Sequence, residues 1–303
     1  MSAELSAQPA VAAKSARKKI NWYLWGTLFI LPELVIFILF LWVPIVKGII
    51  YSFYNIDFVE GNHFIGLANY LNIFQDELLL MSVKNTLIYM GLGIVIGFWI
   101  PPLIAIAVTE LKRFQGGARI VGYLPSAIPA IVLYGMWQWF YDAVGPINSF
   151  LQRIGLPQLE FFSPGLAMGS IVVMETWQSF GAATLIYIAA IVGIPRDIYE
   201  AAEIDGASVW QRIRYITLPS IRTLMMLLLM LQVITTSQGF QAQLSMTDGG
   251  PNNATLTYLL WLNHTAFRDL DFGKASAMGS LMFFVLVLLS VLYNLLQRRG
   301  EKA

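Results

Sequence analysis

The stretch Glu200–Pro219, EAAEIDGASVWQRIRYITLP, is a polar, charged island between two apolar segments that are each long enough to cross a bilayer. Ile194-Pro195 opens it, and proline is accepted in a first helical turn. Ile198, Ala201 and Ala202 then fall at i, i+3 and i+4, a short apolar stripe flanked by Glu200 and Glu203. Asp205-Gly206 is a helix-stop signal. A second helical piece, Ser208 to Ile216, ends ahead of Pro219, which cannot donate a backbone hydrogen bond. The pattern predicts two short helices with a glycine break. An ordinary connection between spans needs no such stripe, so the island reads as a docking element.

Outward from the island the chain is a membrane protein by composition. Of 303 residues, 57% are hydrophobic and 12% charged, and the mean hydropathy is +0.65. Globular chains carry about a quarter charged residues. The apolar residues come in blocks of about twenty, the length of a membrane span. Six blocks qualify, at about 22–43, 85–109, 120–141, 166–193, 222–244 and 275–296. The expected fold is therefore an all-α integral membrane protein with six transmembrane helices. Residues 1–21 form an N-terminal tail, 22–297 the six-span domain with its loop at 194–220, and 298–303 a C-terminal tail. The first block is too long for the core of a signal peptide and reads as a retained span.

Basic residues set the expected orientation. The N-terminus holds Lys14, Arg17, Lys18 and Lys19, and the region between spans two and three holds Lys112, Arg113 and Arg119. The island side holds Arg196, Arg212, Arg214 and Arg222, and the C-terminus Arg298, Arg299 and Lys302. The opposite side has only Lys47, Lys84, Arg153, Arg268 and Lys274. The positive-inside rule puts both termini and the Glu200 loop in the cytoplasm. Aromatic residues near span ends (Trp22, Tyr23, Trp25, Trp137, Trp139, Tyr141, Trp261) read as an interfacial belt. His63 and His264 read as solvated loop residues.

Several chemistries are excluded. There is no cysteine, hence no disulfide framework, no zinc site of that kind and no thiol nucleophile. A phosphate-binding Gly-x-x-x-x-Gly-Lys-Ser/Thr loop is missing: at Gly273-Lys274 the next residue is Ala275, and Arg268 stands where the first glycine belongs. No metalloprotease or serine-hydrolase motif occurs. The basic residues flank spans, so nucleic-acid binding has no support.

Inside the spans ionisable residues are nearly absent. Glu33 lies in span one and Glu175 in span four. An intramembrane carboxylate is a functional candidate by default. Glu175 is open to a substrate or structural hydrogen-bonding role, to ion coupling, or to a plain interfacial position. Span five carries an unusual polar run, LLLMLQVITTSQGFQAQLSM at 227–246. Gln232, Thr235, Thr236 and Gln243 share one helical stripe with Gly239 and Phe240 between them. Amides, hydroxyls and an aromatic face suit a neutral polyhydroxylated ligand. Helix–helix hydrogen bonding is the other reading of such residues in a membrane. Trp177, Gln178 and Phe180 in span four have the same character.

The island also carries a family signature. Glu200-Ala201-Ala202, three residues, Gly206, nine residues, then Ile216-Thr217-Leu218-Pro219 resembles without departure the signature loop of bacterial ABC importer permeases. Further similarity runs from about Pro32 to Gln297. It includes Phe64-x-Gly66-Leu67-x-Asn69-Tyr70, Asn85-Thr86, Leu124-Pro125 with Trp137, Gly145 with Asn148, and Gly249-Gly250-Pro251 before Ala266-Phe267. These are similar to the carbohydrate branch, the MalF-like and glycerol-phosphate permeases. The chain lacks the large external insertion of the maltose permease.

The resemblance implies a MetI/MalF-like permease core in the bacterial inner membrane, in contact with lipid. It implies a second homologous permease subunit, a dimer of ATP-binding subunits docked beneath, and an extracytoplasmic binding protein that delivers a sugar or oligosaccharide. No cofactor would be bound by this chain; ATP-Mg would sit in the partner ATPase subunits. Glu200, Ala201, Ala202, Asp205 and Gly206 would form the coupling helix, with Ile216, Leu218 and Pro219 bracing it against the start of span five. Two other expectations stand beside this one. An importer of another solute, such as a glycerol-phosphodiester, would favour Arg or Lys in the pathway. A secondary transporter would need more membrane carboxylates than the spans contain.

Overall fold

An apolar stretch in lipid must close its own backbone hydrogen bonds, which a helix does and an open strand does not. The computed structural model, which describes residues 26–110 and 122–300 (side chains to 295), is built almost wholly of helices. The expected N-terminal tail, Trp22, Tyr23 and Trp25, and Lys112, Arg113 and Arg119 lie outside the described residues.

Gly26–Tyr51 is the first long helix, α1. A two-residue ribbon, Tyr54–Asn55 (β1) against His63–Phe64 (β2), and the short helix Ala68–Gln75 (α2) lead to Glu77–Glu110 (α3). A 3-10 turn at Leu124–Ala127 precedes Ala130–Phe140 (α4) and Pro146–Arg153 (α5). Then come Ala167–Val192 (α6), Arg196–Ile204 (α7), Val209–Ser237 (α8), Gln241–Met246 (α9), Tyr258–Phe267 (α10) and Phe272–Gly300 (α11). Among the described residues five helices (α1, α3, α6, α8, α11) are long and apolar enough to cross a membrane.

The expected third span departs from a single helix. Ile128 and Pro129 are extended, with ψ of 130° and 133°, so the helix begins only at Ala130. Pro125 and Pro129 supply no backbone N–H, and proline disfavours the helical region for the residue before it. The 11 residues of α4 rise about 16 Å, half of a bilayer core.

Three of the long helices contain a π turn: Ile38–Trp42 in α1, Gly93–Phe98 in α3 and Ile213–Thr217 in α8. The last corrects the expectation that helix stops ahead of Pro219. The widened turn lies just before the proline and accommodates its missing donor, so α8 runs unbroken from Val209 to Ser237.

Packing divides into three clusters. At the loop end Ala105 and Ile106 of α3 meet Tyr187, Ile188 and Ile191 of α6 and Ile221 of α8. At the far end Tyr89, Leu133, Trp137, Met168, Ile171 and Met174 form a second core. Ile73, Leu256, Leu260, Trp261 and Met278 form the third. Trp137, Tyr141 and Trp261 are thus buried rather than interfacial. Tyr141 stacks on Phe161 at 4.6 Å and donates from Oη to the Ser170 carbonyl at 3.0 Å, contacts that hold it inward. Trp139 is exposed. By contrast, none of the most apolar window of α1 is buried within the chain.

The motif residues outside the island are loop pins. Asn85 donates to the carbonyls of Asn253 and Leu256 at 2.7 and 3.1 Å, and the Thr86 hydroxyl accepts from the Tyr258 N–H at 2.9 Å. Asn148, fully buried, donates to the carbonyls of Asp142 and Leu159 and accepts from the Leu159 N–H. Asn69 donates to Ser52 and Tyr54 carbonyls. Each amide satisfies buried backbone groups that would otherwise lack partners.

Candidate translocation cavity and coupling loop

The loop is two helices joined by a sharp turn. Asp205 ends α7, and Gly206 follows at φ +77°, where a side chain is strained. Gly206 N–H donates to the Glu203 carbonyl at 3.1 Å and Ala207 N–H to the Ala202 carbonyl at 2.9 Å. This is the Schellman arrangement that satisfies a helix's last carbonyls. Ser208 then caps α8 through a reciprocal box with Gln211. The local sequence therefore dictates the corner between α7 and α8.

Glu200, Ala201, Asp205 and Pro219 are exposed, while Ala202, Ile216 and Leu218 are half-buried. Ile198, Ile204, Val209 and Trp210 are also exposed, an apolar outer face that the described residues do not cover. Behind this face the loop is tied down. Tyr199 Oη and Thr217 Oγ1 are hydrogen-bonded at 2.9 Å, and Arg212 pairs with Glu203 at 2.5 Å and Glu110 at 3.6 Å. Ile216, Leu218 and Pro219 are part of α8 itself and not a separate brace.

Between α3, α6 and α8 lies a cavity of about 560 Å³. Tyr89, Gly93 and Gly97 of α3, Glu175, Gln178 and Ser179 of α6, and Gln232, Thr235 and Thr236 of α8 line it. Gln238, Gly239 and Phe240 close the top of the α8 wall. The exposure of Thr235 and Gln238 shows that the cavity opens to the surface there. Glu175 is the only acidic or basic residue among the described lining residues. Tyr89 Oη donates to its Oε2.

Several hydroxyl hydrogens of this lining are already used within the chain. Thr235 and Thr236 donate to the Gln232 carbonyl at 3.1 and 2.7 Å, and Ser179 to the Glu175 carbonyl at 2.8 Å. Gln232 donates from Nε2 to the Gly93 carbonyl at 2.6 Å. Thr235, Thr236 and Ser179 keep oxygen lone pairs for a ligand, and Gln232 keeps Oε1 and a second amide hydrogen. The wall presents acceptor oxygens together with glutamine amide hydrogens, a mixture suited to the hydroxyl groups of a sugar.

Not every expected pathway residue reaches this cavity. The helix of span five ends at Ser237, and Gln238 to Phe240 form a break before α9. Gly239 lies against the Tyr89 ring, where a Cβ would come within 2.5 Å, so the chain turns at that point. Gln243 is therefore off the α8 stripe: it lies in α9, fully buried, with neither amide atom hydrogen-bonded. Trp177 turns to the far core, 5.6 Å from the Trp137 ring, and Phe180 packs by Gly122. Glu33 is exposed on α1. His264 lies on α10 with its Nε2 3.2 Å from Asp248 Oδ1.

Sequence reading missed the α3 wall entirely. Tyr89, Gly93 and Gly97 stand in a stretch with no charge or amide to flag them. The available signal is the glycine spacing at 93 and 97, which lets another helix approach. A Cβ at Gly97 would stand 3.1 Å from Thr176 Oγ1 and 3.2 Å from Gln232 Nε2.

A bundle of apolar helices around a polar-lined cavity, with a cornered helix pair at one end, is the layout of a membrane transport subunit. Residues 93–302 match the model of the binding-protein-dependent transport system inner membrane component family, and the chain belongs to that family. It is 28% identical over 271 residues to the trehalose/maltose transport system permease protein MalF of Thermococcus litoralis, covering 88% of this chain and 92% of that one. It is 29% identical over 286 residues to the diacetylchitobiose uptake system permease protein NgcF of Streptomyces coelicolor, covering 89% and 81%. A crystal structure of a bacterial ABC transporter involved in import of the acidic polysaccharide alginate contains a chain of the same fold. It superposes with a TM-score of 0.82 at 26% identity, covering 95% of this chain and 99% of that one.

Proposed function

We propose that this chain is one of two permease subunits of an ATP-driven importer for an uncharged sugar or oligosaccharide. The observation that carries the reading is the cavity wall, where Gln232, Thr235, Thr236, Ser179 and Glu175 present acceptor oxygens and no cation. Sugar hydroxyls donate to such a wall. A carboxylate or phosphate group brings only acceptors and finds no lysine or arginine among the described lining residues. The names of the trehalose/maltose and diacetylchitobiose relatives support a sugar. The alginate transporter's acidic cargo marks the difference to be tested.

In this reading an extracytoplasmic binding protein delivers the sugar at the end opposite the α7–α8 corner. The corner faces the cytoplasm, as do both termini. A dimer of ATP-binding subunits docks on the exposed face of α7 and the start of α8, at Glu200, Ala201 and the apolar residues around them. ATP binding closes that dimer, and the corner moves with it. The α3, α6 and α8 walls then open the cavity to the other side. The chain holds no nucleotide itself, in keeping with its lack of a phosphate-binding loop.

The test is uptake by the assembled importer in proteoliposomes, offered neutral di- and trisaccharides or uronate oligomers of the same length. ATP-dependent accumulation of a neutral sugar is expected. Accumulation of uronates in preference to every neutral sugar would overturn the assignment.

A further inference from the structure

We propose that Arg212 is a positioning residue that carries movement of the α7–α8 corner into α3, and through α3 into the cavity wall. The inference rests on the coupling role given to the corner above. One guanidinium joins three elements: Nη1 to Glu203 in the last turn of α7, Nη2 to Glu110 at the end of α3, and its own backbone in the first turn of α8. The planar fork lets one side chain hold two carboxylates at fixed angles, which a lysine ammonium does not do.

The guanidinium is the shielded member of the cluster, and the Glu110 and Glu203 side chains, 36% and 59% exposed, meet it from the surface side. The Arg212 side chain is only 13% exposed, behind the outer face of the corner, whereas Ile204, Val209 and Trp210 on that face are open. Exposed pairs contribute little; a charge held this far from water requires its partners. The chain already links α7 to α6 and to α8 through its backbone, and Tyr199 to Thr217 adds a second tie to α8. Glu110 lies on neither neighbour: the ion pair with Arg212 takes the load to α3, which is otherwise distant in sequence. From Glu110 the helix runs about 25 Å to Gly93, whose carbonyl receives Gln232 of α8. Corner, α3 and α8 therefore form a closed frame with Arg212 at one vertex and the Gln232–Gly93 hydrogen bond near another. Ala105 and Ile106 of α3 also pack on α6 and α8, and the Arg212 vertex adds to that core a direct tie from the corner to the end of α3.

The chain has no cysteine, so paired spin labels can be placed without background. Leu87 of α3 and Leu231 of α8, both on exposed faces, are suitable positions. In the assembled importer, ATP with vanadate is expected to change the distance between the labels. Glu110→Gln, at a helix end and away from the docking face, is expected to keep the ATP-binding subunits bound and hydrolysing within twofold of the parent. Its distance change is expected to fall at least fivefold. Inverting all three charges together (Glu110→Arg, Glu203→Arg, Arg212→Glu) is expected to restore it. A full distance change in Glu110→Gln would overturn the proposal, as would failure of the inverted triad to rescue a folded complex. Loss of the ATP-binding subunits on Glu110→Gln would make the cluster a docking contact and overturn it too. If the unsubstituted importer shows no ATP-dependent distance change, the coupling reading itself falls and this proposal with it.

Discussion

Gln232 of α8 donates its amide hydrogen to the Gly93 carbonyl of α3 at 2.6 Å, across the width of the cavity wall. The acceptor stands at the start of a π turn, and its partner is the first amide side chain of span five. The bond leaves Gln232 Oε1 for a ligand while fixing the angle between two helices. Gln232→Ala removes both functions. A hydrogen bond of this kind contributes about 0.5–1.5 kcal/mol net. Apparent affinity for the transported sugar should weaken by up to about tenfold, with membrane insertion unchanged, as read from uptake at varied sugar concentration.

Glu175 should set the charge preference of the pathway. Glu175→Gln keeps the shape and an acceptor oxygen but removes the only acidic side chain among the described lining residues. Neutral-sugar uptake should persist, and uronate oligomers should compete with it measurably in the variant alone. Equal competition in parent and variant would mean that Glu175 is structural.

Gly206 is required by its backbone and not by crowding: φ is +77°, and no atom lies within 4 Å of where a Cβ would stand. A β-branched residue there costs about 1–2 kcal/mol, whereas asparagine tolerates the left-handed region. Gly206→Val should abolish uptake with the protein still inserted, and Gly206→Asn should retain most of it. Uptake assays on membrane-quantified protein separate the two.

Gly239→Ala tests the break above α8. Its Cβ would come within 2.5 Å of the Tyr89 ring and 2.9 Å of the Tyr89 oxygen. The ring must shift, which pulls the hydroxyl from Glu175. Uptake should fall by an order of magnitude, and Tyr89→Phe should show a similar loss without the clash. A Gly239→Ala chain as active as the parent would mean that the Tyr89–Glu175 contact is dispensable.

Outside the spans, the Arg268 hydrogen bond holds the Asp248 carboxyl below its ordinary value of 3.8. A depressed carboxylate contributes stability above its unfolded pKa and loses it as pH falls through the folded value. The 247–257 loop should therefore keep its amide-exchange protection unchanged from pH 7 to 5 and lose it only below about pH 3.8. Arg268→Ala should bring that loss to higher pH.

The α7–α8 corner was legible because its chemistry is local: a stripe, a stop at Asp205-Gly206 and a cap at Ser208 each act within a few residues. The long helices were legible for the same reason, since length and apolarity alone decide them. The third apolar segment is interrupted at Ile128-Pro129, where prolines divide a stretch that hydropathy sees as continuous. The cavity was half legible. The amides and hydroxyls of α8 stand out against leucine, but the opposing α3 wall is glycine and tyrosine, and nothing in their spacing says which helix they meet. Gln243 was misplaced because a helical stripe was extended through Gly239, where contact with Tyr89, a residue 150 positions away in sequence, turns the chain.

The π turn at Gly93–Phe98 also sets a rotational phase. A helix advances about 100° per residue, and the widened turn absorbs one surplus residue that would otherwise turn everything upstream by that angle relative to everything downstream. Below the turn α3 shows Ala105 and Ile106 to the loop-end core; above it, Tyr89 to Glu175 and Asn85 to the 253–256 loop. Winding 93–98 as ordinary α-helix with the same residue count would leave every side chain chemically intact. It would also rotate Tyr89 and Asn85 off both partners at once. The identity of the pathway is written in residue types, but its alignment depends on how one turn is wound.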